Sequence, residues 1–215
     1  MHNYYRINPI NKALRFINHY FPRYVFIHIN KTAGSSIERA LMLRSEHKTA
    51  MVKMAELGEV RWNKAFKFSF VRNPWSRILS EYRYRNYFHH LSFRDFVLNK
   101  LPRPGWDDQY RHVMPQYDML HDRQGNLLVD FVGRFETLQQ DFDKVCERLG
   151  IVDSRLPHRN RSDKKSRDLK RKLRNFLFMN GENRFQNMAE FYDDETREAV
   201  TEYYRKDIDT FGYEF

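Results

Sequence analysis

The residues best suited to chemistry fall in two short loops. Lys31, Thr32, Ala33, Gly34, Ser35 and Ser36 follow the apolar run YVFIHI (24–29) and lead into SIERALML. The first N–H groups of a helix lack intrahelical partners and can hold a phosphate or sulfate, to which Lys31 adds charge and the hydroxyls add directional bonds. Gly34 would let the backbone come close to such an anion. The lysine precedes the glycine, so the order departs from the Walker form GxxxxGK[ST] and disfavours ordinary nucleoside triphosphate hydrolysis. On residue types alone, a plain helix cap is the alternative. The second loop follows FKFSFV (66–71). Its Arg72 offers a planar fork for bidentate contact with a phosphate. Ser76 and Ser80 lie four apart on one helix face, so Ser80 can point back towards whatever Arg72 binds. For Arg77 the plain alternative is a surface salt bridge with Glu81 or Asp95.

Moving an anionic group onto a hydroxyl also needs a proton acceptor. Histidine comes first, because its unperturbed pKa of ~6.5 lies near neutrality. His47 sits in SEHKTA, between the two loops, and could equally be an exposed or packing residue. His28 lies within the first apolar run and reads as an internally hydrogen-bonded structural residue. Glu38 and Glu46 are further candidate bases. Downstream, Arg83, Arg85, His89, Trp106, Arg111 and His112 form a basic and aromatic stretch. It suits a sugar bearing carboxylates or sulfates, and equally a core beside a solvated rim.

Positioning these residues falls to three apolar runs that alternate with amphipathic segments: 24–29, 66–71 and LLVDFV (127–132). Nearly continuous apolar runs suit strands covered on both faces. Asn73 is a sound N-cap, and Pro74 fits the first helical turn, where its missing N–H is harmless. The third run leads through Gly133 to a helix carrying Leu138, Phe142, Val145 and Leu149, with Gly150 closing it in a left-handed conformation. The pattern predicts an α/β fold, a mostly parallel sheet with helices on both sides. The loops after its strands then share one edge, where open sheets bind ligands. SFRDFVLNK reads as a short helix, and Pro102, Pro104 and Gly105 as an irregular connection. The final segment, YDDETREAVTEYYRKDIDTFGYEF, reads as a helix with Tyr203 and Ile208 in the core.

Length and composition set the outer bounds. A chain of 215 residues suffices for one compact domain, 1–215, with a basic arm or lobe near 158–190. The single cysteine, Cys146, cannot form an internal disulfide and reads as a buried structural thiol. A formal charge of +10 favours an anionic partner. Within HRNRSDKKSRDLKRKLR, nine lysines and arginines face two aspartates. That arm could bind nucleic acid, but such a role leaves both strand–loop–helix units without a purpose, so no nucleic acid is expected. No apolar run reaches the roughly 18 to 20 residues needed to cross a bilayer, and the first twenty residues lack a signal-peptide core. The expected location is cytoplasmic if the chain is complete, or the Golgi lumen if an anchor has been removed. No cysteine and histidine spacing suggests a metal.

Taken together, FIHINKTAGSSI resembles the 5'-phosphosulfate loop of the Golgi-type carbohydrate sulfotransferases and their bacterial relatives, commonly a variant of HIPKTGGTS. FKFSFVRNPWSRILSEY resembles that family's 3'-phosphate segment, and FVGRFETLQQDFDKVCERLG its third strand and following helix. The C-terminal segment is similar to the family ending. The resemblance implies a P-loop-like fold of the sulfotransferase type and transfer of a sulfuryl group from PAPS (3'-phosphoadenylyl sulfate) to a hydroxyl acceptor, leaving PAP, with no metal required. By position, it implies that Lys31 contacts the transferred sulfate, that Thr32, Ala33, Gly34, Ser35 and Ser36 surround the 5'-phosphate, and that Arg72 and Ser80 grip the 3'-phosphate. Asn160, Ser162 and Lys164 match a basic loop that closes over the donor. His47 matches a catalytic histidine between the donor loops, and His112 falls in a segment near the acceptor, an anionic or neutral glycan; Arg83 is assigned to the acceptor only by the basic and aromatic character of its stretch. The chain departs from the motif at Asn30, where proline is usual, and at Ala33 and Ser35, where glycine and threonine are frequent. Alternatives are a kinase of a small molecule or nucleotide, and a non-catalytic nucleotide- or nucleic-acid-binding module.

Overall fold

The computed structural model describes residues 23–105, 108–152, 155–156 and 188–215. Its sheet has three strands, β1 (Tyr24–Ile27), β2 (Phe66–Val71) and β3 (Phe131–Arg134), in the order β1-β2-β3. Both pairings are parallel, with Phe26 opposite Phe68 and Phe70 opposite Gly133. Between β1 and β2 lie α1 (Gly34–Leu41), α2 (Ala50–Leu57) and α3 (Glu59–Lys64). After β2 come α4 (Pro74–Tyr84), a 3-10 turn at Tyr87–His89, and a short helix at Phe93–Asp95 that continues as a π-helix at Phe96–Lys100. Two further helices, α5 (Asp108–Val113) and α6 (Gln116–Leu120), precede β3. The fold ends with α7 (Leu138–Leu149), α8 (Asp194–Tyr203) and α9 (Arg205–Phe211).

Alternation along the strands explains the two cores. Tyr24, Phe26, Phe68 and Phe70 face one side, where Ile37 and Leu41 of α1 and Phe142, Val145 and Cys146 of α7 cover them. Val25, Ile27 and Val71 face the other, against Ile78 and Tyr82 of α4, Val113 of α5 and Val200 and Tyr204 from the C-terminal helices. Each fully buried Phe or Ile contributes roughly 1.5–3 kcal/mol of apolar transfer. Helices therefore flank both faces of the sheet, and Cys146 is the buried thiol its surroundings suggest.

Several elements differ from the sequence reading. The third strand is 131–134, later than the apolar run 127–132. Leu127 instead forms an isolated antiparallel bridge with His121. The ladder starts late because the Asp130 carboxylate accepts the Lys67 N–H at 2.8 Å and pairs with its ammonium at 3.0 Å. Gly133 is a strand residue, not a break: a Cβ there would lie 2.5 Å from the Phe70 ring. The C-terminal helix divides at Tyr204, whose ring is wholly buried while Tyr203 and Ile208 are only partly covered. Helices α2 and α3 fill an interval that the apolar pattern leaves unassigned.

Candidate active site

Both cation-bearing loops emerge from the same edge of the sheet, after β1 and after β2. In the first, Lys31 and Ala33 take left-handed backbone angles, φ 70 and 65, which turn the chain sharply into α1. Thr32 is fully buried and its hydroxyl donates to the Ile29 carbonyl at 2.9 Å, so that hydroxyl serves the loop itself. Ala33 caps α1 without a side-chain bond, and the first turn has no acidic residue. Ser35 and Ser36 are half-buried in that turn. The close approach that Gly34 permits is made by a side chain of the protein: a Cβ at Gly34 would lie 2.0 Å from His28 Cδ2.

His28 is held by neighbours on three sides. Its Nδ1 is 2.9 Å from Ser45 Oγ and 3.2 Å from Glu38 Oε1. Its ring lies 4.3 Å from that of His47. Burial, then the neighbouring His47, lower its pKa to about 4, so the ring is neutral at physiological pH and structural, as its place in the first apolar run suggests. His47 is half-buried, with Nδ1 3.2 Å from the His28 carbonyl. In the neutral tautomer in which Nδ1–H donates to that carbonyl, Nε2 keeps the lone pair. Burial and the nearby His112 hold the His47 pKa below its ordinary value. Glu38 is engaged with Ser45 and His28, whereas Glu46 pairs with Lys48 on the surface.

The second loop reaches the first. Asn73 caps α4 by accepting the Ser76 N–H at 3.1 Å, with Pro74 in the first turn. Arg72 donates from Nε to Ser76 Oγ at 2.9 Å and from Nη1 to the Lys31 carbonyl at 3.1 Å. Ser76, more than Ser80, is thus the serine tied to Arg72; Ser80 is half-buried one turn farther along the same face. Among the described residues, neither Lys31 nor Arg72 has a carboxylate within ion-pair distance. Burial lowers the pKa of Lys31 to about 8 and that of Arg72 to about 10. Two half-desolvated cations flanking an uncapped helix start would both gain from a bound anion.

Arg77 is not at the surface. It is 1% exposed and donates to the carbonyls of Asn30 (3.0 Å), His112 (3.2 Å) and Met114 (2.9 Å). Asn30 Nδ2 completes this tie by donating to the Arg111 carbonyl at 3.2 Å. The Lys31 ammonium lies 3.7 Å over the ring of Tyr84. That ring is stacked 6.0 Å from His112, and His112 is 5.8 Å from His47. Arg83 is exposed, with its guanidinium 4.9 Å over Phe191, and its charge helps to depress Arg72. Asn160, Ser162, Lys164 and Trp106 lie outside the described residues.

Sequence reasoning missed three participants. Gln116 is fully buried; its Oε1 accepts the Arg72 N–H and its Nε2 donates to the Arg72 carbonyl, both at 2.8 Å. Glu81 is 2% exposed and 3.0 Å from His112 Nδ1. Tyr84 covers Lys31. Glu81 and Tyr84 do carry a signal, since they follow Arg77 and Ser80 at one helical turn; Gln116 carries none in its spacing.

A separate cleft of about 620 Å³, lined by Met54, Trp62, Lys67, Leu128 and Asp130 among others, opens at the opposite end of the strands and shares no residue with this site. Among the described residues, no group of three or more His, Cys, Asp or Glu could hold a metal ion, and no helix is long and apolar enough to cross a membrane.

A small parallel sheet flanked by helices, with two cationic loops facing each other at one edge, defines an α/β protein equipped to hold an anionic ligand. The chain belongs to the sulfotransferase family, whose model matches residues 16–214. An uncharacterized protein of Archaeoglobus fulgidus is 38% identical over 90 residues, covering 40% of this chain and 68% of that protein. Carbohydrate sulfotransferase 14 of Mus musculus is 26% identical over 166 residues, 58% of this chain; the match spans 44% of the mouse protein's length. No solved structure matches the chain.

Proposed function

We propose that this chain is an O-sulfotransferase of P-loop-like architecture, taking a sulfuryl group from PAPS and giving it to a hydroxyl of a carbohydrate. The observation that carries the reading is the link between the loops, in which Arg72 donates to the Lys31 carbonyl while both cations lie half-buried without a carboxylate at ion-pair distance among the described residues. A nucleotide with phosphates at both its 5' and 3' positions satisfies both.

In this reading, the backbone from Thr32 to Ser36 and the Lys31 ammonium hold the phosphosulfate end, with Arg72 and Ser80 at the 3'-phosphate. Asn160, Ser162 and Lys164 are assigned to the outer side of the donor. Lys31 would leave the Tyr84 ring to meet the charge that develops on the bridging oxygen, in a setting where electrostatic stabilisation is strong. His47 would take the acceptor's proton at Nε2, because its Nδ1 is committed to the His28 carbonyl. Arg83 and His112 are assigned to the acceptor side. No residue is assigned to a metal. The chain is read as one sulfotransferase domain, 1–215, carrying a basic arm near 158–190. The carbohydrate acceptor is supported by the similarity to the mouse enzyme together with the aromatic and basic rim around Tyr84.

Mass-spectrometric detection of sulfate transfer from labelled PAPS across glycans, phenols and simple alcohols tests this directly. Lys31→Ala should lower kcat by about 10²–10³. Arg72→Ala should weaken PAP binding by about 30-fold, the loss of a charged hydrogen bond of ~2 kcal/mol. Unchanged transfer in both variants, or no uptake of PAP by the parent protein, would rule the reading out.

A further inference from the structure

The cradle formed by the two loops uses Lys31 and Arg72 but leaves a buried carboxylate behind it unexplained. Glu81 projects from α4, with Oε1 2.9 Å from Arg85 Nε and 3.0 Å from His112 Nδ1. Oε2 is buried without a hydrogen-bond partner, and so is His112 Nδ1, which meets Oε1 as a close ion-pair contact without the alignment of a hydrogen bond. Burial alone would raise the Glu81 pKa, but the contacts with His112 and Arg85 and the charge of Lys31 outweigh it and hold the group below the ordinary carboxylate range. An ionised carboxylate in so dry a place is costly unless its partners are well fixed.

The consequence falls on His112. A carboxylate 3.0 Å from Nδ1, nearer than the one beside Nε2, favours the proton on Nδ1 and the lone pair on Nε2. His47 reaches the same tautomer through the His28 carbonyl. The two rings are 5.8 Å apart, and His112 is also stacked on Tyr84, the ring that carries the Lys31 ammonium. On its outer side, His112 Nε2 is 3.8 Å from Asp108 Oδ2, which is exposed. The charged or titratable groups facing His112 are therefore Glu81, Tyr84 and Arg85 from α4, Asp108 from its own helix, His47 from the loop after α1, His28 behind His47, and Lys31 across Tyr84.

We infer that Glu81 is a positioning residue for sulfuryl transfer: it orients His112 as a second imidazole, which receives the acceptor's proton from His47 and releases it to water past Asp108. The inference rests on the sulfotransferase reading above. The acceptor oxygen forms its bond to sulfur as the bond between sulfur and the donor's bridging oxygen breaks, and the electron pair stays on the departing phosphate. The proton passes from the acceptor hydroxyl to His47, then to His112, then to solvent. The atom nearest His47 Nδ1 is a neutral carbonyl oxygen, whereas His112 Nδ1 has a carboxylate at 3.0 Å.

Glu81→Gln keeps the size and an acceptor oxygen but removes the charge. The expected result is a fall in kcat of about 10- to 100-fold, the range found for groups that orient metal-bound histidines, with PAP affinity within about threefold of the parent. The acid limb of the kcat profile should move to lower pH, because a lost negative charge disfavours a nearby imidazolium. Glu81→Asp should restore part of kcat. Should Glu81→Gln fail to fold, His112→Asn must show the same division between lost kcat and retained PAP affinity. A parent-like kcat and pH profile in Glu81→Gln, or in His112→Asn, overturns the inference, as does a loss confined to KM. PAP titration of the parent protein separates this failure from failure of the sulfotransferase reading, which would show no binding at all.

Discussion

Ala33 holds a left-handed backbone, φ 65, that costs an L-residue with a Cβ about 1 kcal/mol or more and a glycine almost nothing. Its neighbour Gly34 presents the reverse case, since a Cβ there would overlap the His28 ring at 2.0 Å. Ala33→Gly should therefore raise stability by about 0.5–1 kcal/mol, while Gly34→Ala should lower it by about 2–4 kcal/mol. Urea unfolding checks both, and equal effects from the two substitutions would show that the loop relaxes around either. Part of this was legible beforehand: the motif showed that Ala33 stands where glycine is frequent, and the strand–loop–helix order placed Lys31 at the sheet edge. What Gly34 makes room for was not legible, because the ring that fills the space comes from the residue just past the end of β1, six positions earlier.

At the scale of elements, the second loop depends on a helix it does not belong to. Gln116, at the start of α6, replaces the missing backbone partners of Arg72, and its own amide also donates to Asp207 at 3.2 Å. Asp207, fully buried on α9, accepts the Gln116 and Tyr117 N–H groups as well. Gln116→Ala would orphan an N–H and a carbonyl of Arg72 together, at a cost of about 2–3 kcal/mol. It should also weaken PAP binding by about tenfold, because the guanidinium loses its fixed base. Calorimetric titration with PAP measures this, and a variant with parent affinity would show that Arg72 is placed by Ser76 and Lys31 alone. Local signals disclosed β1, β2, the Asn73–Pro74 start of α4 and the Gly150 end of α7, each of which is marked by its own residues. Strand β3 was misplaced because its start is set by Asp130 pairing with Lys67, a contact between distant positions. The division of the C-terminal segment at Tyr204 reflects the burial of one ring, whose hydroxyl donates to the Val113 carbonyl at 2.5 Å.

For the molecule as a whole, the buried histidines set its response to acid. His28 titrates near 4 when folded, against an ordinary value of 6.5, and His47 is shifted in the same direction. Between those limits the unfolded chain binds a proton that the folded His28 refuses, so stability present above about 6.5 is lost as pH falls towards about 4, by on the order of 3 kcal/mol. Denaturant unfolding between pH 7.5 and 4 should show this fall, and His28→Asn should flatten it whatever its effect at neutral pH. An equally steep fall in that variant would assign the acid response to other groups. The overall α/β plan with helices on both faces was legible because buried parallel strands are apolar in sequence. The cluster of His28, His47, His112, Glu38 and Glu81 was only partly so, since three separate segments must fold together before those side chains meet.

The buried guanidinium of Arg77 ties these segments together mechanically. It grips the chain just ahead of the first loop and again on either side of Val113. The wall bearing Lys31 and the wall bearing His112 are thereby fastened to the same helix, and a tilt of one drags the other with it. Such a frame keeps a constant gap between these two walls, so molecules are sorted there by whether they fit the opening.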